Sequence, residues 1–436
     1  MNVYDSDRME RLLAGEGCLP VKNARDAKLI IVNTCTIREK ARHKVLSLLG
    51  TLRELKQEDP DRIFVVAGCV AQQEGKGLLA MVPYLDIVMG PDQVDSLPNL
   101  VRRAKEKDRI SATDFSDEEQ LSLQPLLPVK GKQNLASAFV TIATGCDKKC
   151  SFCIVPYVRG EEKCRAPEEL LDEIKSLLSI GVKEIVLVGQ TVNAYRYGKT
   201  SFAELLKRVN DLPGLKRLRY LTSHPADMTD EILNCFGQLE NLCESLHLPA
   251  QSGSNSVLKR MIRRYKREEY IEIIQKLRGQ LPGVSITTDI IVGFPGESDE
   301  EFEETMSLLK EVRFDGSYSF LYSPRPNLPS TRIPDEVPTS VKNNRLHEYQ
   351  SIQNEIIDQY NQAYLGKTLE VLIEGPSKAD PKVMTGRTRT NRLVHVPGND
   401  SMIGELTQVK ITHALTSYLR GGRVENGLTS IVNRDK

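Results

Sequence analysis

From residue 136 onward the chain repeats one pattern six times: a short apolar run, followed in most cases by a helical period. The runs are "AFVTIATG", "EIVLVGQ", "RLRYLTS", "SLHLPAQ", "VSITTDIIVGF" and "SYSFLYSP", and the stretches between them include "APEELLDEIKSLLSIG" and "REEYIEIIQKLRGQ". Strands that alternate with helices build a parallel sheet with crossover helices. Six units predict a partial or full β/α barrel, with its chemistry at the carboxyl ends of the strands. A long helix is expected around 340–364, where Leu346, Tyr349, Ile352, Ile356 and Tyr360 form one apolar stripe suited to packing.

The segments on either side differ. The first hundred residues alternate between helix and strand: "VYDSDRMERLLAGEG" is helical, "AKLIIVNTC" a buried strand, "RIFVVAGC" a second and "LDIVMG" a third. This is a smaller parallel-sheet α/β domain that opens on a helix, where such units normally open on a strand. Residues 108–135 are polar and aperiodic, as expected of a linker. The last seventy residues are short β-type runs broken by Gly and Pro, which predict a small β-barrel. The expected division is 1–107, a linker 108–135, a central barrel with its closing helix 136–364, and a C-terminal barrel 365–436.

Composition excludes several classes. The chain is 40% hydrophobic and 27% charged, with no apolar run approaching the roughly 18 residues that span a bilayer. No secretory signal is recognised, so a cytoplasmic protein is expected. Nine cysteines are an unlikely disulfide framework in that compartment; metal binding or catalysis suits the clustered ones better. Net charge is zero, so any nucleic-acid contact depends on where the positive charge sits. In "GRTRTNR", Arg387, Arg389 and Arg392 alternate with hydroxyl and amide side chains, as on phosphate-binding surfaces, although a solvated strand face has the same pattern.

Cys146, Cys150 and Cys153 stand in the C-x₃-C-x₂-C segment "TGCDKKCSFCIVPYVRG", on the loop after the first barrel strand. Structural zinc wants four ligands, usually as two separated pairs, and the nearest fourth is Cys164. A C-x-x-C redox pair leaves Cys146 unexplained. Three thiolates on one loop suit a 4Fe–4S cluster with one iron free of protein ligands. Zinc remains the alternative. Cys35 and Cys69 end two strands of the N-terminal sheet, at the carboxyl edge where α/β sheets gather ligands; either alone could be a buried structural cysteine.

C-x₃-C-x₂-C with Phe152 before its last cysteine resembles the radical S-adenosylmethionine enzymes. There the free iron chelates S-adenosylmethionine, and one electron cleaves it to a carbon radical. "NTCTIREKA", "AGCVAQQ", "CSFCIVPYVRG", "LVGQTVNAY", "HLPAQSGS", "TTDIIVGFPGE" and "YSPR" together resemble the methylthiotransferases of that superfamily, in order and through essentially the whole chain. "MNVYDSDRM", "YSPR" followed by "NLPST", and "GRTRTNRLV" are most similar to the bacterial branch that adds a methylthio group to carbon-2 of isopentenyl-adenosine beside the tRNA anticodon. Sister branches act on threonylcarbamoyl-adenosine or on a ribosomal protein aspartate. A non-catalytic iron–sulfur RNA-binding protein is the alternative from another class.

The resemblance implies two 4Fe–4S clusters, one on Cys146, Cys150 and Cys153 and a second involving Cys35 and Cys69. It implies S-adenosylmethionine cradled by Gln190, Asn193 and the Gly293–Gly296 turn, with Phe152 near the adenine, and an RNA-holding TRAM domain at the C-terminus. Its partners would be a tRNA anticodon stem-loop and a low-potential electron donor such as flavodoxin, with no membrane, and a monomer is expected. In the family a third N-terminal cysteine precedes the "MN" in a Gly-Cys-Gln-Met-Asn motif. The sequence starts at that Met, so a start set too late or an incomplete second cluster is expected. Cys18 would lie on the opposite sheet edge, and Cys164, Cys235 and Cys243 match no ligand position. Arg159 could bind a carboxylate or phosphate or form a surface ion pair. Ser223, His224 and Gln251 follow barrel strands and could face substrate.

Overall fold

The computed structural model describes residues 1–36, 40–118, 120–121, 123 and 136–424. It divides into two compact units, the first comprising 1–131, 141–149 and 153–173, the second 132–140, 150–152 and 174–436.

The first unit is built on a four-stranded parallel sheet in sequential order: β1 Leu29–Thr34, β2 Ile63–Gly68, β3 Ile87–Met89 and β4 Ile110–Ala112. Every residue of β2 is buried, so alternate side chains feed two cores. Phe64 and Val66 pack with Val45 and Leu49 of helix α2 (Lys40–Glu58), while Ile63, Val65 and Ala67 pack with Met9 of helix α1 (Asn2–Gly15) and with Leu97 and Leu100. β4 lies inside the segment read as linker. Residues 119, 122 and 124–135 of that expected linker lie outside the described residues.

All six expected barrel strands are present, in the second unit except for Thr141: β5 Ser137–Thr141, β6 Glu184–Val188, β7 Arg217–Tyr220, β8 Ser245–His247, β9 Ser285–Val292 and β10 Gly316–Leu321. They form two three-stranded sheets ordered β5-β6-β7 and β8-β9-β10; β7 pairs in parallel with β6, and β9 in parallel with both β8 and β10, and a parallel bridge from Leu218 to Leu242 continues the first sheet. The closing helix runs Thr339–Gln362. Tyr349 and Ile356 of the expected stripe are buried, but so are Arg345, Gln353 and Asn361, each of which hydrogen-bonds to the body of the protein. The predicted C-terminal barrel is present as five closed strands: β11 Thr368–Pro376, β12 Val383–Thr388, β13 Leu393–Pro397, β14 Leu406–Ala414 and β15 Leu419–Arg423. Val371, Ile373, Met384, Val394 and Ile411 fill it. Among the described residues no helix is long and apolar enough to cross a membrane.

Candidate iron–sulfur and cofactor sites

Register brings Cys35 and Cys69 together. Thr34 of β1 stands opposite Gly68 of β2, so the next residue on each chain is a cysteine. Gly68 has φ +91°, and a Cβ there would come within 2.5 Å of the Thr34 carbonyl oxygen, so only glycine lets the strand ends approach this closely. The two thiols hydrogen-bond to each other; that bond and burial push the Cys69 pKa well above the ordinary thiol range. Arg159 opposes this. Its guanidinium hydrogen-bonds to Cys69, to Asp5 Oδ2 at 2.6 Å and to Asn2 Oδ1 at 3.1 Å. The Met1 amino group is buried near the same thiols, and desolvation lowers its pKa. Arg159 ends a short helix, Val155–Arg159, continuous with the three-cysteine segment; it is buried, so its partner is a carboxylate of this chain rather than a surface ion.

Around the three-cysteine segment the backbone is similarly constrained. Gly145 has φ +78° and lies against the Glu161 carbonyl, where no side chain fits, and the Cys146 amide donates to the Gly160 carbonyl at 3.1 Å. Ser151 is held by its amide to the Met261 carbonyl and by its hydroxyl to the Arg260 carbonyl. Arg263 Nη1 donates to Cys150 Sγ at 3.5 Å, while its Nη2 donates to the Pro249 carbonyl and its guanidinium lies over the Tyr265 ring. None of the nine cysteines is in a disulfide. Among the described residues no three Cys, His, Asp or Glu side chains already form a closed metal cage. The donor chemistry nevertheless fits iron–sulfur clusters: reduced thiols on glycine-tightened turns, with an arginine against a sulfur at each place to balance thiolate charge.

Three family profiles cover most of the chain: the radical SAM superfamily at 140–309, the uncharacterized protein family UPF0004 at 1–90, and the TRAM domain at 362–424. The tRNA-2-methylthio-N(6)-dimethylallyladenosine synthase of Clostridium botulinum (strain Okra) is 44% identical over 97% of this chain and 95% of its own. That of Moorella thermoacetica is 43% identical over 98% and 96%. This chain belongs to the tRNA-2-methylthio-N(6)-dimethylallyladenosine synthase family. Among solved structures, the radical S-adenosylmethionine methyltransferase TsrM of Kitasatospora setae superposes with a TM-score of 0.60 at 13% identity, over 83% of this chain and 87% of that one, a likeness of fold.

For a member of this synthase family, the expected cofactor residues divide by how the structure uses them. Gln190 has a buried Oε1 with no hydrogen-bond partner among the described residues, an acceptor suited to a ligand. Ser223 likewise has a buried, unpartnered hydroxyl. Asn193 does not share this freedom: its Nδ2 donates to the His224 carbonyl and its Oδ1 accepts the His224 amide, both at 2.8 Å. That reciprocal pair fixes the orientation of the amide and leaves one Nδ2 hydrogen and one Oδ1 lone pair outside it. The His224 ring is turned inward against Tyr265, and Nδ1 accepts the Ala226 amide. Gln251 has φ +67° and bridges by backbone to β9. Phe152 packs edge-on against Phe294, ring centroids 6.2 Å apart, in a cluster with Val257 and Met261. Gly293 and Gly296 both have positive φ. Their turn is fixed by Glu297, which sequence reasoning passed over: its buried carboxylate accepts the Gly293 amide at 2.7 Å and sits 3.4 Å from Arg345 Nη1.

The arginines of "GRTRTNR" divide in the same way. Arg392 pairs with Asp315 at 2.5 Å, donates to Asn361 and lies over the rings of Tyr360 and Tyr364; its side chain is 9% exposed. Arg389 forks onto the Glu244 carboxylate and also donates to the Leu242 carbonyl. Arg387 is 38% exposed and pairs with Glu374 at 3.4 Å. From the other side, Arg217 and Arg219 of β7 donate to the carbonyls of Arg387, Thr388 and Arg389. The segment latches the C-terminal barrel onto the central one, and Arg389 and Arg392 are taken up by that latch.

Proposed function

We propose that this chain adds a methylthio group to carbon-2 of isopentenyl-adenosine next to the anticodon of tRNA. The observation that carries the reading is identity above 40% to curated synthases of that name along nearly the whole length of both chains. A 4Fe–4S cluster with S-adenosylmethionine supplies, when bound, the one-electron chemistry that opens an unactivated C–H bond. Cys146, Cys150 and Cys153 would hold that cluster, and Arg263 would balance charge at the Cys150 sulfur. Gln190 offers an acceptor to the cofactor's amino group, and Glu297 with Arg345 keeps the Gly293–Gly296 turn open for backbone approach. Cys35 and Cys69 would hold the second cluster, beside the fixed charge of Arg159.

The working partners in this reading are a tRNA anticodon stem-loop and a low-potential reductant such as flavodoxin, in the cytoplasm, with the chain acting as a monomer. Mass spectrometry of nucleosides from a deletion strain tests the reading. Methylthio-isopentenyladenosine should vanish, isopentenyladenosine accumulate, and the chain on a plasmid restore the product. An unchanged methylthio pool in the deletion strain would sink it, and loss of a different methylthio nucleoside would transfer the chain to a sister activity.

A further inference from the structure

The stretch "KRMIRRYKR", residues 259–267, carries six basic side chains, and the structure sorts them into two sets. Arg260 is paired with Glu301 at 2.6 Å, and Arg267 with Glu311 at 2.9 Å. Arg263 is turned inward to Cys150 and the Pro249 carbonyl. Lys259, Arg264 and Lys266 are exposed and make no ion pair among the described residues. With Arg263 they line one open cavity of about 660 Å³, whose other lining residues are Asn255, Ser256, Ile262, Tyr265 and a single carboxylate, Glu269. Glu269 in turn accepts the Lys266 amide, as a helix cap does.

The backbone explains the sorting. Ile262 has φ +56°, a left-handed conformation rare for a β-branched residue, and its side chain is exposed. This kink follows the helix Asn255–Arg260 and precedes the helix Arg267–Gln280, so the cations between them splay instead of following one helix face. One neighbour of Ile262 sends its guanidinium to Cys150, and the residue after that faces solvent.

We infer that this basic cavity seats backbone phosphates of the RNA substrate. The inference rests on the tRNA reading above and adds to it where the RNA is held. Three exposed cations, Lys259, Arg264 and Lys266, face one carboxylate in a cavity open to solvent, a charge excess that suits a polyanion and that no ion pair of the described residues uses, while Arg263 is committed to the Cys150 sulfur and the Pro249 carbonyl. Cations without fixed acceptors suit phosphates, which are recognised by charge and position. Because Arg263 belongs to both the cavity wall and the surroundings of Cys150, phosphates seated here lie next to the segment that carries the reactive cysteines. Arg389 and Arg392, spent on carboxylates of this chain, leave that task to other cations.

The test is binding of a fluorescent, isopentenylated tRNA anticodon stem-loop to the full chain, by anisotropy at several salt concentrations. The variant is K259E/R264E/K266E, with K259R/R264K/K266R as the charge-conserving control. Reversal should weaken binding at least roughly tenfold and flatten the dependence of log affinity on log salt by about two to three, while the control keeps the wild-type slope. Circular dichroism and iron content, unchanged in both, show that exposed positions were altered without unfolding. Equal affinity and slope in the reversed variant would overturn the cavity as the phosphate seat and leave the proposed function standing. If the wild-type chain binds no tRNA, both fall. Weakened binding by the reversed variant beside a deletion strain with an unchanged methylthio pool would overturn the activity alone.

Discussion

Arg159 and Asp5 form a buried ion pair, Nη2 to Oδ2 at 2.6 Å, with side chains 4% and 11% exposed. Arg159 comes from the end of the cysteine-bearing segment, and Asp5 from the first turn of the opening helix. Removing one member of such a pair strands a charge out of water, which costs more than removing both. Arg159→Met is therefore expected to destabilise the chain by about 3 kcal/mol. The double variant with Asp5→Asn should cost clearly less. Urea denaturation of the metal-free protein checks this, and a double variant at least as unstable as the single would count against the pair.

Arg392 makes a similar case in the C-terminal latch. Burial pushes the Asp315 pKa up and the Arg392 guanidinium pulls it down. Arg392→Ala should cost about 3 kcal/mol through the stranded carboxylate. Limited proteolysis should then release the C-terminal barrel, near 365, faster than from wild type. Affinity for tRNA at low temperature, where the latch holds, should change less than twofold. A variant with wild-type protease resistance and severely weakened tRNA binding would return Arg392 to the RNA surface.

The parts of the fold set by periodicity were readable from sequence. All six barrel strands follow from apolar runs of the right length and the small C-terminal barrel from short β-type runs broken by Gly and Pro, and Cys35 and Cys69 stand at strand ends because both end such runs. β4 was not readable: Ile-Ser-Ala is too short to show a period, and it pairs only because β3 offers a free edge. The roles of Arg217, Arg219 and Arg263 were equally hidden. Charged side chains are ordinarily exposed; Arg217 and Arg219 are buried, and Arg263 half-buried, only because distant carbonyls, carboxylates or a sulfur meet them. Asn193 shows the same limit: the motif shows the amide, while the His224 backbone that orients it is thirty-one residues away.

Metal content should separate the two cysteine groups. After anaerobic reconstitution, Cys150→Ala is expected to lose about four irons per chain, and Cys69→Ala about four others, if each group holds one cluster. Cys235→Ala, buried against the Ala203 and Glu231 carbonyls, should keep the wild-type content. Iron and sulfide analysis with Mössbauer or EPR spectra reads all three. Undiminished iron in Cys69→Ala would remove the N-terminal site from the assignment.

The Glu297 carboxyl should make stability depend on pH across the neutral range. Burial is the larger influence on it, and the Gly293 amide and the nearby Arg345 only partly offset it, so its pKa in the folded protein rises to about 7 from an ordinary 4.5. Between those values the folded chain keeps a proton that the unfolded chain has released. Stability from this group is therefore fully present below about pH 4.5 and is lost as pH rises through about 7, by at most about 3 kcal/mol. Glu297→Gln cannot ionise and retains an oxygen for the Gly293 amide. Unfolding free energies measured from pH 5 to pH 8 should fall for wild type relative to the variant, with the gap closing toward pH 5. Curves that stay parallel over that interval would show that Glu297 ionises normally and that Arg345, at 3.4 Å, outweighs its burial.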